Sequence, residues 1–130
     1  MPVNLATSTK TFKITYDTNN SGCSSSKSSQ DANVTGTGWY TAASGGTLVG
    51  AFGASSKTFT SNSTLYAKWN SASDKQTLAT ITKTGYTCKW NTKSDGSGTS
   101  YSSGASSVTV GANTTLYAIS TINNYYIDLN

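Results

Sequence analysis

The chain contains no histidine, no glutamate and no arginine in 130 residues, and only two cysteines and one proline. The lack of histidine removes the usual proton shuttle near neutral pH and the commonest metal ligand. Catalysis would have to rest on Asp17, Asp31, Asp74, Asp95 or Asp128, or on lysine, tyrosine or cysteine. The expectation is therefore a protein that is not an enzyme, with no catalytic residue, no metal site and no cofactor. The lack of arginine removes the side chain best suited to bidentate phosphate and guanine contacts, and the nine lysines stand singly. A net charge of +4 without a basic stripe predicts a sparsely charged surface and no nucleic-acid partner. No run of 18 apolar residues exists, so no membrane insertion is expected. The opening "MPVNLATSTK" lacks the apolar centre of a signal peptide, which leaves a piece of a longer secreted chain or a native protein not exported by that route.

Short hydroxyl and amide side chains fill the space left by these absences. Serine and threonine together supply 45 residues, asparagine 11 and glycine 12. Threonine, tyrosine, valine and isoleucine favour strands, while serine, asparagine and glycine favour turns, so the composition predicts a mostly β fold with little helix. "TFKITYD" places Phe12, Ile14 and Tyr16 on one face and Thr11, Lys13 and Thr15 on the other, the period-two pattern of a half-buried strand. "TLYAKW" sets Leu65, Ala67 and Trp69 against Thr64, Tyr66 and Lys68 in the same way. "NNSG", "ASGG", "SDGSG" and "SSGAS" are turn material.

The stretch "NSTLYAKW" at 62–69 is nearly rewritten as "NTTLYAIS" at 113–120. A shift of 51 positions aligns residues 39–69 with 90–120 without a gap, at 13 identities in 31 positions that include Trp39 with Trp90. A tandem repeat with a period near 50 follows. The division expected is an N-terminal tail at 1–10, a first repeat at 11–69, a second, abbreviated repeat at 70–120, and a C-terminal strand or tail at 121–130. Only the first copy has a full opening strand, at 11–17; a strand at 125–129 would replace the missing edge of the second or begin a further unit.

Within 83–118 the motifs "KTGYTCKW", "SDGSGTSY" and "TLYA" resemble those of the Listeria-Bacteroides repeat family, relatives of the internalin B-repeats. Thr84, Gly85, Tyr86, Trp90, Asp95, Gly96, Gly98, Thr99, Tyr101, Leu116, Tyr117 and Ala118 carry the likeness. The chain departs from the family pattern at Cys88 and Lys89, and at Ile119-Ser120. The resemblance implies two β-grasp-like units with mixed or antiparallel sheets, and occurrence in bacterial surface and secreted proteins, hence an extracellular or cell-surface location. It brings no active site.

Cys23 and Cys88 form either one disulfide or two buried free thiols. "SDGSGTS" reads as a tight turn, since one carboxylate is too few for a calcium site. No lysine is placed beside an acidic catalyst in a way that nominates an isopeptide cross-link. Trp39 and Trp90, at equivalent positions, are expected in the core. Trp69, Tyr40, Tyr101, Tyr125 and Tyr126 lack an aromatic counterpart in the other copy and are the candidate surface contacts, able to stack on sugars or anchor a protein. The function expected is a spacer, stalk or adhesive unit. Its partners would be a host or bacterial surface protein or glycan, or neighbouring repeats of the same chain. A phage virion decoration or fibre module, contacting virion subunits, and a carbohydrate-binding module are the alternatives.

Overall fold

Alternating apolar and hydroxyl side chains become strand almost wherever turn residues leave them uninterrupted. The computed structural model describes residues 2–72 and 74–124, and contains no helix among them. In chain order the strands are β1 (Pro2–Val3), β2 (Lys10–Asp17), β3 (Ser24–Ser25), β4 (Ser29–Tyr40), β5 (Leu48–Gly50) and β6 (Lys57–Thr58). There follow β7 (Tyr66–Ala72), β8 (Ile81–Thr82), β9 (Tyr86–Asn91), β10 (Ser100–Ser102) and β11 (Thr114–Ile122). β2 buries Phe12, Ile14 and Tyr16 and exposes the residues between them, as its alternation dictates. The strand expected at 125–129 lies outside the described residues.

Seven strands form one mixed sheet, running β10-β9-β11-β2-β4-β5, with β7 on the other edge of β4. β2 and β11 are parallel, Leu116 beside Tyr16, and the remaining pairings are antiparallel. Around the tryptophans the two repeats share their register. Trp90 of β9 lies between Tyr101 and Ala118, and Trp39 of β4 between Gly50 and Ala67, each neighbour displaced by the same 51 positions. Ser56 and Ser107, also 51 apart, both adopt positive φ, at 57° and 61°. The two repeats are thus the three-stranded units β5-β4-β7 and β10-β9-β11, joined through β2.

The structure revises the expected boundaries. Residues 2–7, set out above as a tail, belong to the first repeat. Leu5 N–H donates to Ala54 O at 2.6 Å as Leu78 N–H donates to Ala105 O at 2.8 Å. The Trp39 indole donates to Ala6 O at 2.7 Å as the Trp90 indole donates to Ala79 O at 2.9 Å. "LAT" at 5–7 and "LAT" at 78–80 therefore correspond, but at a spacing of 73 where the tryptophans are spaced by 51. Between these markers the first repeat is 22 residues longer than the abbreviated second. The second repeat turns directly from Lys83 to Tyr86, with Lys83 O accepting from Tyr86 N–H. The first instead runs out along β2 and returns along β4, with Lys10 opposite Val34 at the base. This projecting arm, residues 10–34, supplies the edge strand that the abbreviated second repeat lacks.

A second correction concerns the cores. Trp39 and Trp90, both expected in the core, differ: one buried cluster gathers around the second repeat and includes Trp90 but not Trp39. It contains Phe12, Ile14, Tyr16, Leu78, Trp90 and Leu116, with Ala32 and Val34 from the returning strand. The segments at 74–81 and 103–112 cover this face. The first repeat is filled differently. Thr37, the sequence counterpart of Cys88, is bulged out of β4, so Gly36 takes the inward place beside Trp69. The Phe52 ring lies over Gly36, where a Cβ would meet it at 1.9 Å, and contacts Trp39 and Trp69 at 5.3 and 5.5 Å between centroids. Trp90 is fully buried, whereas Trp39 is only half-buried. Trp90→Ala should lower stability by about 3–5 kcal/mol and Trp39→Ala by about half that or less, as read from urea unfolding midpoints.

Candidate functional site

The arm grips the second repeat on several sides. Along β2, Thr114–Tyr117 pair with Ile14–Asp17, and the Lys13 N–H is taken by Asn113 Oδ1 at 2.9 Å. At the turn beyond β2, Asn19 and Asn20 hold φ near 59° and 52°, a conformation asparagine tolerates. Asn19 Nδ2 donates to Ser94 O at 2.8 Å and Ala118 O at 3.2 Å. Cys23 then bonds to Cys88 of β9, across 65 positions of sequence, with both residues buried. The Lys83 ammonium closes over this corner, donating to Ser21 O at 2.9 Å and lying 3.9 Å from the Tyr86 ring centroid. β3 pairs with β8, and Thr80 N–H donates to Ser26 Oγ at 3.0 Å.

A polar network locks the base of the arm. The Tyr16 hydroxyl donates to Gln30 Oε1 and accepts the Ala79 N–H at 3.0 Å, while Gln30 Nε2 donates to Gln76 Oε1 at 3.0 Å. The Ala79 carbonyl takes the Trp90 indole N–H, and the Tyr16 and Trp90 rings lie 4.7 Å apart. One backbone unit is held from both sides by aromatic residues of different repeats. Burial raises the Tyr16 hydroxyl above the ordinary tyrosine value, partly offset by the bond from Ala79.

The "SDGSG" turn at 94–98 is organised from within. Asn91, buried in β9, accepts the N–H groups of Lys93 and Gly98 at 2.9 and 3.0 Å and donates to the carbonyls of Gly96 and Gly98. The Asp95 carboxyl titrates below its usual range, chiefly because the Ser97 hydroxyl and then the Ser97 N–H donate to it, with Lys93 adding charge attraction. A cleft of about 430 Å³ lies between this turn and the outer face, lined by Thr87, Lys89, Ser100, Ile119 and Thr121. Among the described residues no group of three His, Cys, Asp or Glu side chains comes together as a metal site would require.

Of the candidate surface contacts among the described residues, Tyr40 alone lies on an outward face. It sits between Leu48 and Tyr66 on neighbouring strands, and Lys68 Nζ is 4.3 Å from its ring centroid. Leu48 and Tyr66 are 50% and 40% exposed. Trp69 and Tyr101 pack partly buried against the core. Tyr125 and Tyr126 lie outside the described residues. The sequence does not single out Tyr66, because Tyr117 matches it in the second copy. The feature that separates the copies is its neighbour, Tyr40 in one and the turn-binding Asn91 in the other.

Residues 30–68 and 69–119 each match the Listeria-Bacteroides repeat domain, together more than half of the chain. The chain belongs to the Listeria-Bacteroides repeat family. It is a surface or structural repeat module of two tandem copies. No curated protein and no solved structure matches it with significance. Within this family fold, the arm and its disulfide join one repeat to the next.

Two outcomes check the clasp. Replacing Cys23 and Cys88 by serine should lower stability by about 4 kcal/mol in the chain-entropy account, because the unfolded chain regains a loop of 65 positions; calorimetry with and without reductant reads it. Since Tyr16 holds its proton more tightly folded than unfolded, its contribution is whole below pH about 10 and declines as pH rises through the folded value. Melting temperatures of Tyr16→Phe and the parent should converge at high pH, and a constant gap from pH 8 to 11 would contradict the assignment.

Proposed function

We propose that the chain is a non-enzymatic spacer or stalk element of a bacterial surface or secreted protein, and that the outward face of its first repeat makes adhesive contacts. The observation that carries this reading is the clasp. A strand, a disulfide and a polar network from the first repeat all engage the second, which suits a module that transmits tension without parting at the joint. The absence of histidine and glutamate from the sequence agrees with a role that needs no proton transfer.

Single-molecule extension from the two termini tests it. The oxidised chain should unfold at high force in one event, and reduction should add about 23 nm of contour length from the 65 positions the disulfide encloses. Two separate low-force events, one per repeat, would contradict a load-bearing joint.

The row Leu48–Tyr40–Tyr66, with Lys68 beside it, favours a sugar or protein surface as the adhesive partner. On a glycan array, any retained sugar should lose at least tenfold in affinity with Tyr40→Ala or Tyr66→Ala. Retention that neither change affects would place the contact elsewhere.

A further inference from the structure

The strand β2 occupies one particular edge of the second repeat, and the first repeat has the same edge empty. In the second repeat β9 pairs with one edge of β11 and β2 with the other, since Tyr117 faces both Asn91 and Asp17. In the first repeat β4 pairs with the matching edge of β7, and no described strand pairs with the opposite one. β7 is thus the last strand of the sheet on that side.

The surroundings of the two edges correspond residue by residue. Ile14 of β2 sits in a depression lined by Leu78, Val110, Thr114 and Leu116. The counterparts of those residues are Leu5, Phe59, Ser63 and Leu65, and all four line an open cleft of about 310 Å³ together with Val3 and Asn62. Leu116, under β2, is 2% exposed, while Leu65 is only half-buried. Asn113 accepts the β2 backbone through Lys13 N–H, whereas its counterpart Asn62 is exposed, with no side-chain hydrogen bond among the described residues. An apolar-lined cleft, a side-chain acceptor and the segment 63–65 leading into β7, which pairs with no described strand, coincide where the twin site holds a strand.

We propose that the edge at residues 63–66 and the cleft beside it bind an extended strand in parallel, contributed by a neighbouring repeat on another polypeptide and carrying the alternation of β2. The second repeat supplies the argument for this occupant: apolar side chains at alternate positions enter the cleft, a backbone N–H meets Asn62 Oδ1, and the ladder continues beyond β7. The chain's own β2 is already paired on both edges, with β11 and with β4, so another strand of the same pattern has to supply the occupant. The inference rests on the equivalence of the two edges and not on the load-bearing reading, so either can fail alone. It would let successive modules clasp one another as the two repeats do here.

The test uses the oxidised full-length chain and a labelled peptide with the sequence of residues 9–18, TKTFKITYDT. Saturable binding is expected by fluorescence anisotropy, with amide NMR shifts concentrated at residues 59–66. Leu65→Lys should weaken it at least tenfold, and so should a peptide with aspartate at the Ile14 and Tyr16 positions, which leaves the protein untouched. No saturation at millimolar peptide would overturn the proposal. So would binding that shifts residues 114–117 and ignores Leu65→Lys, because the peptide would then be displacing β2 from its own place.

Discussion

The peptide unit of Ala79 is the point on which the two repeats meet. Its N–H is taken by the Tyr16 hydroxyl and its carbonyl by the Trp90 indole, with the two rings in contact and the whole arrangement buried. Losing the Tyr16 hydroxyl leaves the buried Ala79 N–H unsatisfied, at a cost of about 1–3 kcal/mol, whereas the carbonyl also accepts the Gly104 N–H at 3.2 Å. Tyr16 can reach Ala79 only because β2 has been carried across on the arm. The polar contact, the parallel pairing and the shared core are therefore one constraint. A chain of this size made from two units of about 50 residues has little apolar area to bury per unit. Concentrating the core around one repeat and riveting the other to it is a solution that fits a sequence so rich in serine and threonine.

The asymmetry between the copies follows from the same arm. Where β2 lies against the second repeat, the inner face closes over Ile14, Leu116 and Trp90. Where no such strand exists, the first repeat closes its inner face with an aromatic side chain of its own, Phe52, and needs Gly36 beneath it. Shared register at the tryptophans with unlike filling is the result. The outward faces diverge too, because Asn91 is used to hold a turn while Tyr40 is left beside Tyr66.

Much of this was legible in the sequence. The period-two pattern of 11–17, the tryptophan and "TLYA" correspondences and the turn residues gave the strands, the repeat and the family. The arm was not legible from a single offset, because the 51-residue shift that aligns the tryptophans fails upstream of them. Its signature was present in the second "LAT" and in "TKT" at 9–11 and 82–84, at a spacing of 73. Strand pairing between distant segments leaves no local pattern, so the parallel β2–β11 contact could not be inferred from alternation. Likewise an unmatched aromatic residue is equally suited to a surface or to a gap in the core. Trp69 and Tyr101 went to the core, and Tyr40 did not.

Native-state hydrogen exchange tests the central claim most directly. If the arm and the second repeat are one cooperative body, the amides of β2, of residues 29–34 and of β9 and β11 will share a single opening free energy and respond together to Tyr16→Phe. Exchange in which β2 opens readily while β9 and β11 stay protected would show a second repeat that stands without the arm, and would contradict the account.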